Sequence, residues 1–291
     1  MGKRVADKEV TGIEIVRVEA WEEYSWLLHG FSTRTGGVSA VYGRDSLNLG
    51  WTREDDLASV TENRRRFVDA VTGEMTGKAG FALVNVRQIH SAITRVIREE
   101  DGPLGGALQT PEGKAVLEGD GLMTNLPGVM LGVGTADCVP VLVADVNKRA
   151  VAAFHAGWRG TVARIVEQGI AKMEHEYGSQ PADLIAAIGP SIGACCYAVG
   201  EEVRTAFTSQ FDYADDLFLS DRKPNPSIYV DLWKANQRQL LAAGVERSKI
   251  TVIGECTACS RDQQGRRRYF SHRAEHGVAG RMLNVVGVVP E

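Results

Sequence analysis

The sequence predicts a single mixed α/β (α+β) domain. Short apolar runs bounded by Gly, Pro and Asp alternate with longer segments in which apolar residues recur at helical spacing. We find no internal repeat and no low-complexity linker along the chain. With 44% hydrophobic and 24% charged residues the composition is ordinary for a globular protein, and 291 residues allow one large domain or two modest ones. We expect residues 1–10 to form a flexible leader and residues 11–291 to form one domain.

Secondary structure follows from the same patterns. The apolar runs predict strands over residues 12–18, 26–31, 46–50, 81–86, 129–133, 139–144, 150–154, 184–188 and 250–254. Helical spacing predicts helices over residues 161–177, 201–210 and 231–243 and over a segment that begins near Asp56. Thr161 and Asp231 are suitable N-cap residues for two of these helices. Residues 101–118, rich in glycine, and residues 212–225 are expected to be surface loops.

Charge and hydropathy exclude several classes of partner. The net charge is -4, so the chain as a whole lacks the excess of positive charge that would bind nucleic acid. We expect the only basic cluster of note, Arg266-Arg267-Arg268, to be a solvated loop. Residues 1–10 lack the apolar core of a signal peptide. The longest apolar stretch, residues 128–144, is shorter than the ~18 residues of a membrane span and contains Asp137. We therefore expect a soluble cytoplasmic protein without a membrane or nucleic-acid partner; the sequence does not indicate its oligomeric state.

Three potential metal ligands each follow a predicted strand: His90, Cys138 and His155. Loops at strand ends present side chains on a rigid frame. Two imidazoles and a thiolate are a sufficient set for zinc, and three protein ligands leave a fourth position open, as in catalytic zinc sites. Zinc in an open site lowers the pKa of its water toward about 7. The sequence thus predicts a catalytic zinc site at these three residues, with Asp137 in a supporting role.

The same centre allows two other interpretations. Cys138 with His155 as its base, and Asp137 orienting the imidazole, would be a Cys-His hydrolase. Alternatively, Cys138 is simply a small buried hydrophobic residue. Both alternatives stay open at the level of the sequence.

The other four cysteines form two sequence pairs. Cys256-x2-Cys259-x12-His272-x3-His276 has the letter spacing of a zinc finger, but Gln263-Gln264-Gly265 occupies the place of the small apolar core that a finger needs. We therefore expect a buried Cys pair there, with His272 facing the site. Cys195-Cys196 is expected to be core packing, because adjacent thiols do not easily face one ligand. Five cysteines, an odd number, also argue against a disulfide framework.

A loop near the N-terminus combines hydroxyls, a guanidinium and adjacent glycines: residues 31–39 include Ser32, Arg34, Gly36 and Gly37. Backbone N–H groups can turn inward where no Cβ obstructs them, which suits an oxyanion. A plain surface turn would use the same residues. The loop is a candidate anion site on this pattern alone.

Taken together, the motifs resemble those of the laccase-domain family, whose members have been called polyphenol oxidases and peptidoglycan editing factors and are now read as purine nucleoside phosphorylases. The resemblance covers nearly the whole chain in the right order. The motifs that carry it are Phe31-Ser32-Thr33-Arg34 with Gly36-Gly37-Val38-Ser39, Ser46-Leu47-Asn48-Leu49, Glu62-Asn63-Arg64, Gln88 with His90, Asp120-Gly121, Thr135-Ala136-Asp137-Cys138, His155-Ala156-Gly157-Trp158-Arg159-Gly160, Gly189-Pro190 with Ile192-Gly193 and Cys196-Tyr197, Cys256-Thr257, and Phe270-Ser271 with Gly280-Arg281.

The resemblance implies a fold, a cofactor and an activity. The fold is a single domain of β-sheets sandwiched by helices, similar in shape to a bacterial cysteine deamidase toxin. The cofactor is Zn²⁺ held by His90, Cys138 and His155. The activity is phosphorolysis of adenosine, inosine and 5'-methylthioadenosine, with adenosine deamination as a side activity, so the partners are purine nucleosides and phosphate. The alternative function is a Cys-His amidase acting in peptidoglycan quality control.

Departures from the family pattern leave the proposed metal ligands intact. Ser91 stands where Gly is usual after the first His, Ala194 replaces a usual Pro, and His272 stands where Tyr is common. Residues 274–279 differ from the usual charged turn. These changes put the ligand preference in doubt.

Further site residues are assigned by chemistry. Arg34, Arg64 and Arg159 are candidates for binding phosphate, since a guanidinium can make a bidentate contact. Trp158 is a candidate for stacking a base. A zinc deaminase carries a Glu two residues after a ligand His, and His90 and His155 both lack one, which leaves Asp120 and Asp137 as candidates for the general acid.

Copper-based oxidation is not expected despite the family name. A multicopper oxidase needs four coppers and His-x-His pairs, and the six His of this chain include no such pair. Copper bound promiscuously remains compatible with the sequence.

Overall fold

Two β-sheets lie face to face with helices on both outer surfaces in the computed structural model, which describes residues 12–73, 81–220 and 227–290. The strands are β1 Ile15–Val16, β2 Leu27–Ser32, β3 Thr35–Ser39, β4 Ala82–Asn85, β5 Thr94–Val96, β6 Gly121–Thr124, β7 Val129–Thr135, β8 Val139–Asp145, β9 Ala150–Ala156, β10 Leu184–Ile188, β11 Ala198–Val199, β12 Phe218–Ser220, β13 Ile228–Val230, β14 Ile250–Val252 and β15 Met282–Val288. The helices are α1 Leu57–Thr72, α2 Trp158–Val162, α3 Ile165–Tyr177, α4 Glu201–Thr208 and α5 Leu232–Ala242.

The first sheet has strand order β1-β2-β15-β7-β4 and the second β14-β10-β8-β9-β6-β5. A small third sheet contains β11, β13 and β12. The antiparallel pair β8 and β9 forms the centre of the second sheet, and every residue of both strands is buried. Because both faces of these strands are covered, they are apolar throughout and do not alternate with polar residues. This explains why they stand out in the sequence.

Three apolar clusters show how the sheets and helices are stacked in layers. Side chains of both sheets meet between them, such as Leu131 of β7 and Leu142 of β8. On the outer face of the second sheet, Phe154 of β9 packs with residues of α3 and α5. On the outer face of the first sheet, Phe67 and Val71 of α1 pack with strand residues. The result is an α-β-β-α sandwich, which confirms the predicted mixed α/β fold of sheets between helices.

Several predicted elements are confirmed with small changes of boundary. Asp56 caps α1, since its side chain accepts the N–H of Ser59 at 2.8 Å. Asp231 caps α5 in the same way, by accepting the N–H of Lys234 at 2.9 Å. These caps satisfy N–H groups that a helix start leaves unpaired. Eight of the nine predicted strands are present. Strands β7, β8 and β9 extend one or two residues beyond the prediction, whereas β1, β4 and β14 are shorter than predicted.

The predicted helix over residues 161–177 is wrong at its start. The segment forms two helices, α2 and α3, and Arg164 between them has a left-handed backbone with φ of 58°. Thr161 lies inside α2, so it is not the N-cap of the long helix. Its hydroxyl donates to the carbonyl of Ala156 and accepts from the amide of Asn236, each at 3.2 Å.

The loop over residues 31–39, a candidate anion site or surface turn in the sequence, is instead largely strand: β2 ends at Ser32 and β3 covers Thr35–Ser39. The N–H groups of Gly36 and Gly37 both donate to the carbonyl of Asp45, at 2.9 and 3.0 Å. A Cβ on Gly37 would lie 2.2 Å from the carbonyl oxygen of Ser46, so the glycine permits a close approach of two chain segments. Residues 46–50 are not a regular strand, although Ser46 makes isolated β-bridges.

Two expectations concern residues that lie partly or wholly outside the described ranges. The leader over residues 1–10 lies outside them, and the loop over residues 212–225 lies partly outside. No helix within the described parts of the chain has the length and apolar character to cross a membrane.

His29 on β2 is a buried histidine that serves the fold. Its Nε2 accepts the N–H of Val18 at 2.8 Å, and its Nδ1 has no hydrogen-bond partner among the described residues. Burial, together with the nearby charge of Arg17, lowers the pKa of His29 to about 3. The folded protein therefore holds this imidazole neutral.

Neutral burial of His29 predicts acid sensitivity. The pKa is lower in the folded state than the unfolded value of about 6.5, so this contribution to stability is complete above that pH and is lost as the pH falls toward 3. From about pH 7.5 to about pH 5 the loss amounts to about 2 kcal/mol. Denaturant titration should show this excess pH dependence in the wild type relative to His29→Gln. Equal pH dependence of the two proteins would contradict the prediction.

Candidate metal and active site

The candidate site lies where the chain passes from one sheet to the other. Strand β7 ends in the first sheet at Thr135, and β8 begins in the second sheet at Val139, so Cys138 stands at the crossing. His155 on β9 pairs with Pro140 on β8, which brings the imidazole beside the crossing. His90 follows β4, the neighbour of β7. Sheet pairing thus gathers three residues that are far apart in sequence.

His90, Cys138 and His155 form one potential metal site. Their ligand atoms all lie within 4.8 Å of one another, and the two imidazole rings meet edge to face with centroids 5.0 Å apart. His155 is buried, Cys138 half-buried and His90 exposed, so one side of the group is open. A Cβ on Gly157 would lie 2.9 Å from the Cys138 sulfur, so the glycine leaves room beside the thiol. This donor set fits zinc with a fourth position free.

Asp120 holds two of these ligands in place. Its Oδ1 lies 2.8 Å from Nδ1 of His155 and accepts the backbone N–H of His90 at 3.0 Å. Its Oδ2 accepts both the N–H and the hydroxyl of Ser91, at 2.6 and 2.7 Å. His90 has a φ of 60°, which is unusual for a residue with a side chain, and these bonds offset the cost of that conformation. Ser91 therefore adds a donor that glycine could not supply.

The charge on Asp120 fixes the tautomer of His155. Burial alone would raise the pKa of this carboxyl, but hydrogen bonds from His155 and Ser91 lower it to about 2. An ionised carboxylate only accepts, so Nδ1 of His155 carries the proton. Its Nε2 is then the nitrogen that can face a metal, an arrangement common at metal-binding histidines.

The thiol and its two histidines polarise one another. Burial alone would raise the pKa of Cys138, but the charge of His155 and hydrogen bonds from His155 and His90 lower it to about 6. Burial alone would lower the pKa of His155, but the Cys138 thiolate and Asp120 raise it to about 9. The protein without metal thus favours a thiolate, which is the form of Cys that binds metals and attacks electrophiles.

Asp137 acts on the loops around the site. Its Oδ1 accepts the hydroxyl of Thr257 at 2.6 Å, and its Oδ2 accepts the N–H of Arg273 at 2.6 Å. Its φ of 88° is held by these contacts and by the N–H of Ile192, which donates to the Asp137 carbonyl at 2.9 Å. The carboxylate is committed to these two donors, so it ties the turn that contains Cys138 to the loops of Thr257 and Arg273.

Three of the residues expected to bind substrate have other partners. Ser32 is buried, and its hydroxyl accepts the N–H of Leu283 at 2.9 Å inside the first sheet. Arg34 forms an ion pair with Glu275 at 3.1 Å. Arg64 donates to the Leu49 carbonyl at 2.8 Å and to Asn85, and burial lowers its pKa to about 10. Each of these three side chains is thus already bound to other residues of the protein.

Arg159, the remaining residue expected to bind phosphate, is exposed. Arg159 makes no ion pair with the described residues, and its guanidinium lies over the Trp158 ring, 4.3 Å from the centroid. Tyr197, to which the sequence analysis assigned no chemical role, lies near this group. Burial and the Cys138 charge raise the pKa of its phenol to about 12, while Arg273 and Arg159 oppose the rise. Its position after a cysteine pair gave no chemical signal.

The four cysteines other than Cys138 are not arranged as predicted. Cys195 is exposed and Cys196 half-buried, so the expectation that this pair packs in the core is wrong. Both lie with Cys256 and Cys259 in one group, of which only Cys256 is buried. His272 and His276 are exposed and lie outside this group, so the pairing differs from that of a zinc finger.

Comparison with known proteins adds a family and its named activities. A family model described as multi-copper polyphenol oxidoreductase laccase matches residues 28–289. A purine nucleoside phosphorylase of Bacteroides thetaiotaomicron is 35% identical over 280 residues, which cover 96% of each chain. Adenosine deaminase RL5, from an unknown prokaryotic organism, is 35% identical over 233 residues, covering 80% of this chain and 85% of that one. The crystal structure of YlmD from Geobacillus stearothermophilus has a TM-score of 0.81 at 31% identity, covering 98% and 100% of the two chains.

Replacement of Asp120 tests its role at the metal ligands. In Asp120→Asn the amide cannot accept from all the same donors, so we expect the affinity for zinc to fall by about 10- to 100-fold. The measurement is the zinc dissociation constant, obtained by competition with a chelator. Glu118→Gln, which changes an exposed carboxylate two residues away, is the control and should bind zinc as the wild type does. An unchanged constant for Asp120→Asn would remove Asp120 from this role.

Proposed function

This chain belongs to the laccase-domain family, and from that premise we propose that it is a zinc-dependent purine nucleoside phosphorylase. It would cleave adenosine, inosine and 5'-methylthioadenosine with phosphate to the free base and ribose 1-phosphate or its 5-methylthio derivative. Deamination of adenosine would be a side activity, in line with the name of the relative RL5. The observation that carries the proposal is the group of His90, Cys138 and His155, open on the side of His90.

The family description names oxidation by several coppers, but the potential metal ligands of this chain do not support that activity. Copper clusters in such oxidases rely on many imidazoles, and this chain has six His without a His-x-His pair. Within the described residues, the potential metal site that contains histidine offers two imidazoles and one thiolate. That set suits a single zinc ion, so we assign any copper binding to adventitious uptake.

The roles proposed for individual residues follow from their partners. Zinc held by His90, Cys138 and His155 supplies a Lewis acid at the open side of the group. Asp120 keeps the proton of His155 on Nδ1 and so directs Nε2 to the metal. Arg159 is the proposed phosphate ligand, because it is exposed and makes no ion pair with the described residues. Trp158 already stacks with Arg159, so we assign this ring to holding the guanidinium.

The two aspartates near the site, Asp120 and Asp137, are unsuited to act as the general acid. Asp120 is ionised, with a pKa lowered to about 2 by its hydrogen bonds despite burial, and therefore has no proton to give near neutral pH. The Asp137 carboxylate accepts from Thr257 and Arg273. Neither residue is proposed as the proton donor, and the two are assigned to positioning.

A Cys-His amidase is the second candidate, and one observation favours it. The Cys138 thiol interacts with His155, whose charge, with hydrogen bonds from both histidines, lowers the thiol pKa to about 6 against the effect of burial. A thiolate paired with a histidine is also the nucleophile of Cys-His hydrolases, and an amide in peptidoglycan quality control would be its substrate. Such an enzyme needs no phosphate, and its alkylated form cannot be rescued by zinc.

Phosphate dependence is the decisive test of the proposed activity. We expect protein of known zinc content to convert adenosine to adenine only when phosphate is present, and Cys138→Ala to lose both the zinc at this site and the activity, because a ligand is removed. Adenine and inosine are to be resolved chromatographically. Glu118→Gln, which changes an exposed carboxylate and removes no ligand, is the comparison variant and should keep both the zinc and the activity.

Each outcome separates the candidates. Adenine formed with phosphate supports the phosphorylase, whereas inosine formed without phosphate supports deamination as the main activity. If neither product forms on zinc-loaded protein, the nucleoside assignment fails. Release of an amine from amide substrates, abolished by alkylation of Cys138, would then favour the amidase.

Arg159 offers a separate test of phosphate binding. In Arg159→Gln we expect the KM for phosphate to rise by about tenfold or more, since a charge-assisted hydrogen bond contributes roughly 1.5–3 kcal/mol. Steady-state rates at varied phosphate and saturating nucleoside provide the measurement. Arg65→Gln makes the same charge change on α1, where Arg65 pairs with Glu62 and Asp69, and should leave this KM unchanged. A normal KM in Arg159→Gln would exclude Arg159 as the phosphate ligand.

A further inference from the structure

Four cysteines gather in a second group beside the candidate active site. Cys195 and Cys196 lie in the turn between β10 and β11, and Cys256 and Cys259 lie in the turn that follows β14. The four Sγ atoms all lie within 4.8 Å of one another, and those of Cys195 and Cys259 are 3.7 Å apart. The group contains no carboxylate and no imidazole. Its donors are therefore thiols alone.

The backbone joins the two turns that carry these cysteines. Ser191 and Cys256 form a parallel β-bridge, in which the N–H of Thr257 donates to the Ser191 carbonyl at 3.1 Å. Within the second turn, the N–H groups of Cys259 and Ser260 donate to the Cys256 carbonyl at 3.3 and 2.8 Å. Main-chain hydrogen bonds therefore hold the two turns together and shape the second one.

The spacing fits a metal ion better than a disulfide. Metal–sulfur bonds of about 2.3 Å in a tetrahedron place neighbouring sulfur atoms about 3.8 Å apart, close to the 3.7 Å between Cys195 and Cys259. A disulfide requires about 2.0 Å and would leave two thiols of the group unused. Soft thiolates select zinc over magnesium or calcium. An iron–sulfur cluster places several inorganic atoms between its thiolates and needs a wider set.

The surroundings suit the negative charge of such a site. Four thiolates with one divalent ion carry a net charge of −2. The guanidinium of Arg267 donates to the Ala258 carbonyl at 2.6 Å, inside the Cys256–Cys259 turn, and that of Arg261 lies 3.5 Å from the same oxygen. The N–H of Gly193 donates to the Cys256 sulfur at 3.3 Å. Cations and an N–H donor near the sulfur atoms stabilise thiolates.

From these contacts we propose that Cys195, Cys196, Cys256 and Cys259 bind a structural zinc ion, distinct from the ion proposed at His90, Cys138 and His155. Four protein ligands close the coordination shell, which is the mark of a structural site. The proposal does not depend on the nucleoside phosphorylase activity.

The proposed ion would restrain the turn that contains Asp137 and Cys138. The turn with Cys195 reaches Asp137 through the N–H of Ile192, and the turn with Cys256 reaches it through the hydroxyl of Thr257. Asp137 is adjacent to Cys138 in the chain. An ion that ties the two turns together therefore restrains the residue that positions the thiol of the first site.

Metal content distinguishes the two sites. We expect the purified full chain to hold about two zinc ions, and Cys138→Ala and Cys259→Ser to hold about one each, measured by mass spectrometry of the metal together with protein concentration. Cys259 is chosen because it is exposed. Ser260→Ala changes the neighbouring residue without removing a thiol and should retain both ions.

Cobalt substitution keeps the proposal testable if Cys259→Ser fails to fold. Cys138→Ala leaves only these four of the five cysteines, so cobalt(II) bound to it should show the strong thiolate-to-metal charge-transfer absorption of a four-sulfur site. Absence of this absorption, or equal zinc content in Cys259→Ser and the wild type, would overturn the proposal. A thiol titration of denatured, unreduced wild type that finds three thiols in place of five would indicate a disulfide and overturn it as well.

Discussion

The hydrogen bonds of the buried Asp120 carboxylate hold the candidate site together. One side chain accepts from Nδ1 of His155 on β9 and from the loop that contains His90 and Ser91. A buried carboxylate without such donors would be costly, so the hydrogen bonds from His155 and from the loop of His90 and Ser91 stabilise this arrangement. The Asp120 carboxylate therefore holds the backbone of His90, keeps the proton of His155 on Nδ1 and supports the conformation of the loop that contains His90 and Ser91.

The sandwich supplies the rigid frame for this arrangement. The crossing from β7 to β8 joins the two sheets through a turn that contains Asp137 and Cys138. Both sheets are buried on the faces that meet, so the crossing has little freedom to shift. A ligand at such a crossing is held by the packing of the whole domain, and the exposed His90 leaves one side accessible to a small molecule.

Asp137 connects this frame to the second cysteine group. Its side chain and carbonyl bind the turns that bear Cys195 and Cys256, so the two proposed metal sites share a network of hydrogen bonds. The family description names copper oxidation, but the potential metal ligands here are a group of two histidines and one cysteine and a group of four cysteines. Chemistry at this fold is therefore decided by the donors at the loops, as expected where one architecture hosts several functions.

The sequence by itself determined the strands β7, β8 and β9, the start of α1 near Asp56 and the Asp231 cap of α5, because burial and capping leave local patterns of residue type. It also singled out His90, Cys138 and His155 as candidate metal ligands. It did not reveal β15, which lies between β2 and β7, since pairing with distant strands makes that segment a central strand. Only the tertiary structure decided that Ser32, Arg34 and Arg64 are engaged by the fold and that Cys195 and Cys196 meet Cys256 and Cys259. These outcomes depend on contacts between residues remote in sequence, and local periodicity carries no record of such contacts.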